Sequence, residues 1–255
     1  MPDFAIHPSL KDKTVFISGG ATGIGADILR GFADQGARIG FVDFDAENSA
    51  ARMEELKAQG IDVAFAQADL RDIPQLKTAF ATLIETLGTP YALVNNAARD
   101  DRHGWEEITV DYYDERIATN LRHMFFAIQA VAPAMIAAEK GGSIVNMGSN
   151  SWWESVGGMP VYTTAKAGVH GMTRSFARDL GPHKIRVNTV VPGWIMTERQ
   201  KELWVTKESL GRHLDRQCLK DPIAPEYVAR MVVWLCSNDA TMCTASNFFV
   251  DGGSV

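Results

Sequence analysis

The sequence predicts a doubly wound α/β fold, one mostly parallel sheet of about seven strands with helices on both faces. Three observations predict it. Short β-branched and aromatic runs alternate with stretches of helical periodicity along the whole chain, the order that builds parallel sheets from strand–helix–strand crossovers. A glycine-rich turn joins the first strand to the first helix. No linker, low-complexity tract or repeat period interrupts the 255 residues, so residues 1–255 read as one domain of ordinary size for this class.

Taken in order, residues 1–13 are a polar lead-in, and residues 14–17 are β-branched or aromatic and read as a buried strand. Ser18, Gly19, Gly20, Ala21, Thr22, Gly23, Ile24 and Gly25 follow at once, and residues 26–35 carry helical spacing up to Gly36. Strand, glycine turn and helix together form a phosphate cradle. Glycines let the backbone approach a pyrophosphate, and the helix start offers free N–H groups and a positive dipole end. Residues 38–42 are the next strand and end in Asp43. An acidic residue about 20 positions past the glycines is placed to accept hydrogen bonds from a ribose diol and to repel a ribose phosphate. No Arg or Lys stands in the turn or directly after Asp43, so NAD is the cofactor predicted over NADP.

The alternation continues with helices over 47–59 and 74–87, strands over 62–66 and 91–94, and one long helix over 112–138. A strand over 143–147 precedes a helix over 160–180, and a strand over 185–191 is stopped by Pro192 and Gly193. Residues 198–217 are polar and loosely helical, 225–235 a helix, and 247–250 a last strand. Together these make a Rossmann-like sheet, in which ligands bind beyond the carboxyl ends of the strands. The glycine turn, Asp43, Asn95, Ser149 and Pro192 all fall at such ends and should share one crevice.

Within the helix over 160–180, Tyr162 and Lys166 are four apart and leave the same face. An ammonium favours the phenolate, which a general base at neutral pH requires, because a free tyrosine titrates near ~10. Ser149 ends the preceding strand and is placed to hydrogen-bond a reacting oxygen. Such a pair is also compatible with an ordinary surface Tyr and Lys; the cofactor turn and the crevice favour chemistry.

Composition excludes other classes. The net charge of −6, with no Lys or Arg run, argues against nucleic acid and against an anionic membrane surface as partner. Cys218, Cys236 and Cys243 are few, odd in number and late, which suits a reducing compartment rather than a disulfide framework. Neither they nor the six histidines show metal-ligand spacing, so no metal is predicted. The first residues lack a basic region followed by an apolar one, and the longest apolar stretch, 124–138, is broken by Gln129 and Pro133. A soluble cytoplasmic protein is the expectation.

Beyond these readings, the chain resembles the short-chain dehydrogenase/reductase family over nearly its whole length. Ser18-Gly19-x-x-x-Gly23-Ile24-Gly25 resembles the cofactor turn, with Ser in place of Thr. Asn95-Asn96-Ala97-Ala98 resembles the N-N-A-G motif, with Ala in place of Gly. Asn120, Ser149, Tyr162 and Lys166 fall where the catalytic four occur, and Pro192-Gly193-Trp194-Ile195-Met196-Thr197 resembles the loop beside the nicotinamide. The resemblance implies that Tyr162 takes the proton of a substrate hydroxyl, that Lys166 lowers its pKa and binds the nicotinamide ribose, that Ser149 orients the substrate oxygen, and that Asn120 holds a relay water. It also implies that Asp69 and Leu70 meet the adenine, Asn96 the adenine-side ribose, and Ile195 and Thr197 the nicotinamide amide. Gly19, Thr22, Gly23, Ile24, Gly25, Asp43, Ala97, Pro192 and Gly193 complete the cofactor set, and a homotetramer is implied.

Asp100-Asp101-Arg102-His103, Asp114-Glu115-Arg116-Ile117, Asn120-Leu121-Arg122-His123-Met124 and Gln217-Cys218-Leu219-Lys220 further resemble the aldose 1-dehydrogenases of that family. This implies oxidation of an aldose at C1 to an aldonolactone. Asp101, Arg102, His103, Ser149, Asn150, Trp152, Glu154 and Trp194 are the candidate sugar contacts, supplying hydrogen-bonding groups and an aromatic floor. Alternatives are a polyol, steroid or 3-oxoacyl substrate, or a non-catalytic dinucleotide sensor. The absence of a basic patch disfavours an acyl-carrier partner, and the complete catalytic set disfavours a sensor.

Overall fold

A computed structural model describes residues 4–255. The start of the polar lead-in lies outside these residues. The rest of it holds a 3-10 turn, Pro8–Leu10, whose Leu10 is buried in the core. Seven parallel strands follow: β1 Thr14–Ser18, β2 Arg38–Asp43, β3 Val63–Gln67, β4 Ala92–Asn95, β5 Gly142–Met147, β6 Ile185–Pro192 and β7 Asn247–Val250. Their order in the sheet is β3-β2-β1-β4-β5-β6-β7. The connections reverse direction between β1 and β4, where Ser18 pairs with Asn95, which opens a crevice beyond the strand ends.

Strand residues alternate between the two faces. Val15 and Ile17 join a core with α1 Gly23–Ala33, α2 Ala46–Ala58 and α9 Pro225–Cys236. Phe16, between them, joins the opposite core with α3 Ile73–Leu87, α5 His123–Ala137 and α6 Pro160–Leu180. Phe16 and its partner Phe80 are fully buried. Truncating either to Ala should cost about 3–5 kcal/mol, since the sheet cannot close on the void. Among the described residues no helix is long and apolar enough to cross a membrane.

Three elements differ from the sequence expectation. Helix α1 starts at Gly23 inside the glycine turn rather than after it. The long helix expected over 112–138 is interrupted: α4 Val110–Ile117 passes through a π-helical turn, Ala118–Arg122, before α5. Side-chain periodicity barely registers one extra residue in a turn, and such bulges occur often at functional sites. The loosely helical segment over 198–217 resolves into α7 Glu198–Leu203 and α8 Lys207–Arg216. The Thr197 hydroxyl caps α7, and a Thr206–Ser209 capping box starts α8, so local caps rather than apolar stripes define these short helices.

Candidate active site

A cavity of about 2000 Å³ runs along the carboxyl ends of the strands. Asp43, Asp69 and Leu70 line it on the β2–β3 side; Gly19, Thr22, Gly23, Ile24, Gly25, Asn96 and Ala97 line its middle; and Ser149, Tyr162, Lys166, Pro192, Gly193, Ile195 and Thr197 line it beyond β5 and β6. Every residue expected to meet the cofactor therefore faces one space.

The glycine turn is held by its neighbours. Gly19 has φ +72, and a Cβ on Gly25 would lie 1.8 Å from the Gly19 oxygen, so neither position admits a side chain. The Ser18 hydroxyl accepts from the Asn96 and Ala97 amides at 3.1 and 3.3 Å, so the hydroxyl kept by the Thr-to-Ser departure is in use. Asn96 Nδ2 donates to the Gly19 carbonyl at 2.7 Å, so this cavity-lining side chain also braces the turn. The Thr22 hydroxyl makes no cap bond at the start of α1. The first N–H groups of that helix, whose residues line the cavity, are thus left for an anionic ligand such as a pyrophosphate. Asp43 is buried, and its carboxylate accepts from the Ala21 and Asp45 amides at 2.9 and 3.1 Å, which leaves a second lone pair on each oxygen. Arg30 and Arg52 also line this end, unseen from spacing because they approach from α1 and α2. Both pair with Glu55.

Helix α6 carries Tyr162 and Lys166 and is fixed at several levels. Pro160 opens it, no side chain of its own caps it, and His103 Nε2 accepts the Val161 N–H at 3.3 Å from a distant loop. Deeper, a buried ladder ties the helix to the sheet. Asn95 donates to Asn146 at 2.8 Å, Asn146 to Thr173 at 3.0 Å, and Thr189 to Thr173 at 2.8 Å. Lys166 is buried, its Nζ donates to the Met147 carbonyl at 2.8 Å, and it lies 5.7 Å from the Tyr162 ring centre. The amine and the ring are therefore on one side of the helix and in the same cavity.

The electrostatics differ from the simple expectation of a depressed phenol. Burial raises the Tyr162 pKa, the Asp100 carboxylate adds to it, and a hydrogen bond with Ser149 and the Arg102 cation pull the other way. Burial likewise lowers Lys166 to about 7, opposed by Asp100. Desolvation is the largest influence on both groups and outweighs the neighbouring charges. Asn120 sits fully buried on the π-helical turn, not on the cavity wall. Its Oδ1 accepts the Arg99 amide at 2.8 Å and its Nδ2 donates to the Arg116 carbonyl at 3.0 Å.

At the substrate end, Arg102, Ser149, Asn150, Glu154 and Trp194 line the cavity as expected. Asn150 donates to Glu154 at 2.8 Å and to Ser254 at 3.0 Å, so the chain's last residues steady this wall. Three expected contacts are elsewhere. Asp101 turns away to Arg116 and Arg199 at 2.6 and 2.7 Å and also pairs with Arg99. His103 braces α6 and meets the Tyr112 hydroxyl at 3.1 Å. Trp152 packs on Trp153 at 3.5 Å between ring centres, and its indole N–H donates to His170 at 3.1 Å. His103 and Trp152 have their partners off the cavity, and Asp101 is taken up by arginines that themselves line it, pairings that a loop's sequence does not display.

The comparisons with known proteins agree with this geometry. The family model described as "Enoyl-(Acyl carrier protein) reductase" matches residues 19–254. The chain is 47% identical over 249 residues to the D-xylose 1-dehydrogenase of Caulobacter vibrioides (strain NA1000 / CB15N), covering 98% of each chain. The chain belongs to the short-chain dehydrogenase/reductase family. It is also 45% identical to "Probable galactose dehydrogenase GalD" of Rhizobium meliloti (strain 1021), over 96% of each chain. A solved blue fluorescent protein from a metagenomic library, in complex with NADPH, superimposes with a TM-score of 0.90 at 34% identity, covering 97% of this chain and 99% of that one.

As a short-chain dehydrogenase/reductase, the protein is an oxidoreductase of CH–OH groups that uses a nicotinamide cofactor. Asp100 and Gln200, at the substrate end of its cavity, also escaped the sequence reading. Asp100 lines the cavity and accepts from Gln200 Nε2 at 2.8 Å, and Gln200 Oε1 accepts from the Trp194 indole at 2.8 Å. Gln200 belongs to α7, which looked like a featureless polar stretch. His170, two turns beyond Tyr162, also went unnoticed. It accepts from Trp152 at Nε2 and contacts Asn247 Oδ1 at 2.6 Å through Nδ1, which fixes its proton on Nδ1 and joins the Ser149 loop to α6 and β7.

Proposed function

We propose that this protein is an NAD-dependent aldose 1-dehydrogenase that converts the C1 hydroxyl of a cyclic aldose to the aldonolactone. The observation that carries the reading is Tyr162, with Lys166 and Ser149, on the wall of the cavity that also holds the glycine turn. The high identity to relatives named for D-xylose and galactose supports the sugar class.

In this reading Tyr162 removes the proton of the C1 hydroxyl, and the Ser149 hydroxyl orients that oxygen. The nicotinamide, when bound, accepts the hydride. Lys166 has one ammonium proton on Met147 and others to donate to ribose hydroxyls. Asn120 acts from beneath the cavity, holding the loop that carries Asp100 by bonding the Arg99 backbone. Asp43 favours NAD because a ribose phosphate would meet its carboxylate, and Glu55 keeps Arg30 and Arg52 paired. The test is a screen of NAD and NADP reduction over aldoses, polyols and simple secondary alcohols, with the product identified as lactone. Turnover confined to polyols or simple alcohols would sink the aldose reading.

A further inference from the structure

Two adjacent aspartates in the loop after β4 have different surroundings. Asp101 is held by three arginines. Asp100 turns into the cavity, half-buried, on the wall it shares with Tyr162, Lys166 and Trp194. Its Oδ2 accepts from Gln200, whose amide is fixed by the Trp194 indole on its other end. Its Oδ1 makes no hydrogen bond among the described residues. The carboxylate is near enough to the reacting corner that its charge is felt at both Tyr162 and Lys166. Arg99 and Arg102 flank it on the same cavity, and these cations disfavour a cationic ligand there. A neutral O–H donor is the group that such an oriented, half-desolvated acceptor selects.

We propose that Asp100 Oδ1 accepts a hydrogen bond from a ring hydroxyl near the reacting carbon, which makes Asp100 the residue that selects a polyhydroxy substrate over a simple secondary alcohol. The inference rests on the aldose reading above. Gln200 and Trp194 are positioning residues for it, because they hold Oδ2 and leave Oδ1 turned to the substrate.

The test compares the best aldose with its monodeoxy analogues on the wild type, Asp100→Asn and Asp100→Ala, with cofactor binding followed separately by nicotinamide fluorescence. A hydrogen bond to a charged acceptor should make the wild type discriminate against one deoxy analogue by about thirtyfold in kcat/KM. In both variants that ratio should fall towards one, through a raised KM for the parent sugar, with cofactor affinity unchanged. Asp100→Ala keeps the proposal testable if the amide variant fails to fold. Wild-type discrimination retained in either folded variant at every ring position overturns the proposal. A wild type that oxidises no aldose overturns the aldose reading, and this inference with it.

Discussion

The Lys166 amine lies 5.7 Å from the centre of the Tyr162 ring and donates not to the phenol but to the Met147 carbonyl. The pair faces one cavity, yet burial opposes charge on both members. Charge on this pair is therefore disfavoured by its packed surroundings, and a charge created there during proton transfer is poorly screened by solvent.

Tyr162→Phe should bind the cofactor as the wild type does and lose turnover by about a thousandfold or more, the scale of a general base. Fluorescence titration and an initial-rate assay measure the two separately. Residual turnover within tenfold of the wild type would remove Tyr162 from the role of base.

Lys166 makes stability depend on pH. Its pKa falls from 10.5 to about 7 on folding, so between these values the unfolded chain binds the additional proton and stability rises with pH. Below about pH 7 the cost is present in full. Lys166→Met should raise the melting temperature at pH 7, by on the order of a few kcal/mol of stability offset in part by the lost Met147 bond, while it stops turnover. The stabilisation should fade towards pH 10; calorimetry at the two pH values checks it.

The rate should rise with pH, because the Tyr162 phenol is pushed up by burial and by Asp100. Arg102 pulls it down, so Arg102→Met should move the acid limb of the kcat/KM profile to higher pH. A limb left in place would show that Arg102 acts on the substrate alone.

Asp43→Ala should raise NADP use relative to NAD by about tenfold, since the carboxylate that repels a phosphate is gone. The same change removes the acceptor for the Ala21 and Asp45 amides and should cost about 1–2 kcal/mol of stability. Kinetics with both cofactors and a denaturant midpoint test the two halves independently.

His103→Ala and Trp152→Phe separate bracing from substrate contact. The first removes the acceptor for Val161 at the start of α6, the second the donor to His170. Each should cost about 1 kcal/mol of stability. Discrimination among sugars should be unchanged; a changed preference would return these side chains to the substrate wall.

The fold was legible because its signals are local. Short β-branched and aromatic runs, helical stripes and the turn around Gly19 to Gly25 lie within one window of sequence each. The cofactor face followed, since the strand ends at Asp43, Ser149 and Pro192 converge when strands run parallel; Asn95, expected in the same crevice, is instead buried beneath it and bonded to Asn146. The interruption at Asn120 was not legible, because one added residue per turn leaves the apolar stripe almost unchanged.

The sequence by itself determined the strand order's raw material, the cofactor cradle and the Tyr162–Lys166 spacing, all of which depend on neighbours a few residues apart. Only the tertiary structure decided that Asp100 faces the cavity while Asp101 does not. Asp101 is claimed by Arg116 and by Arg199, 98 positions away. It likewise decided that burial outweighs the ammonium at Tyr162, because desolvation depends on everything packed around a group and not on what precedes it in the chain.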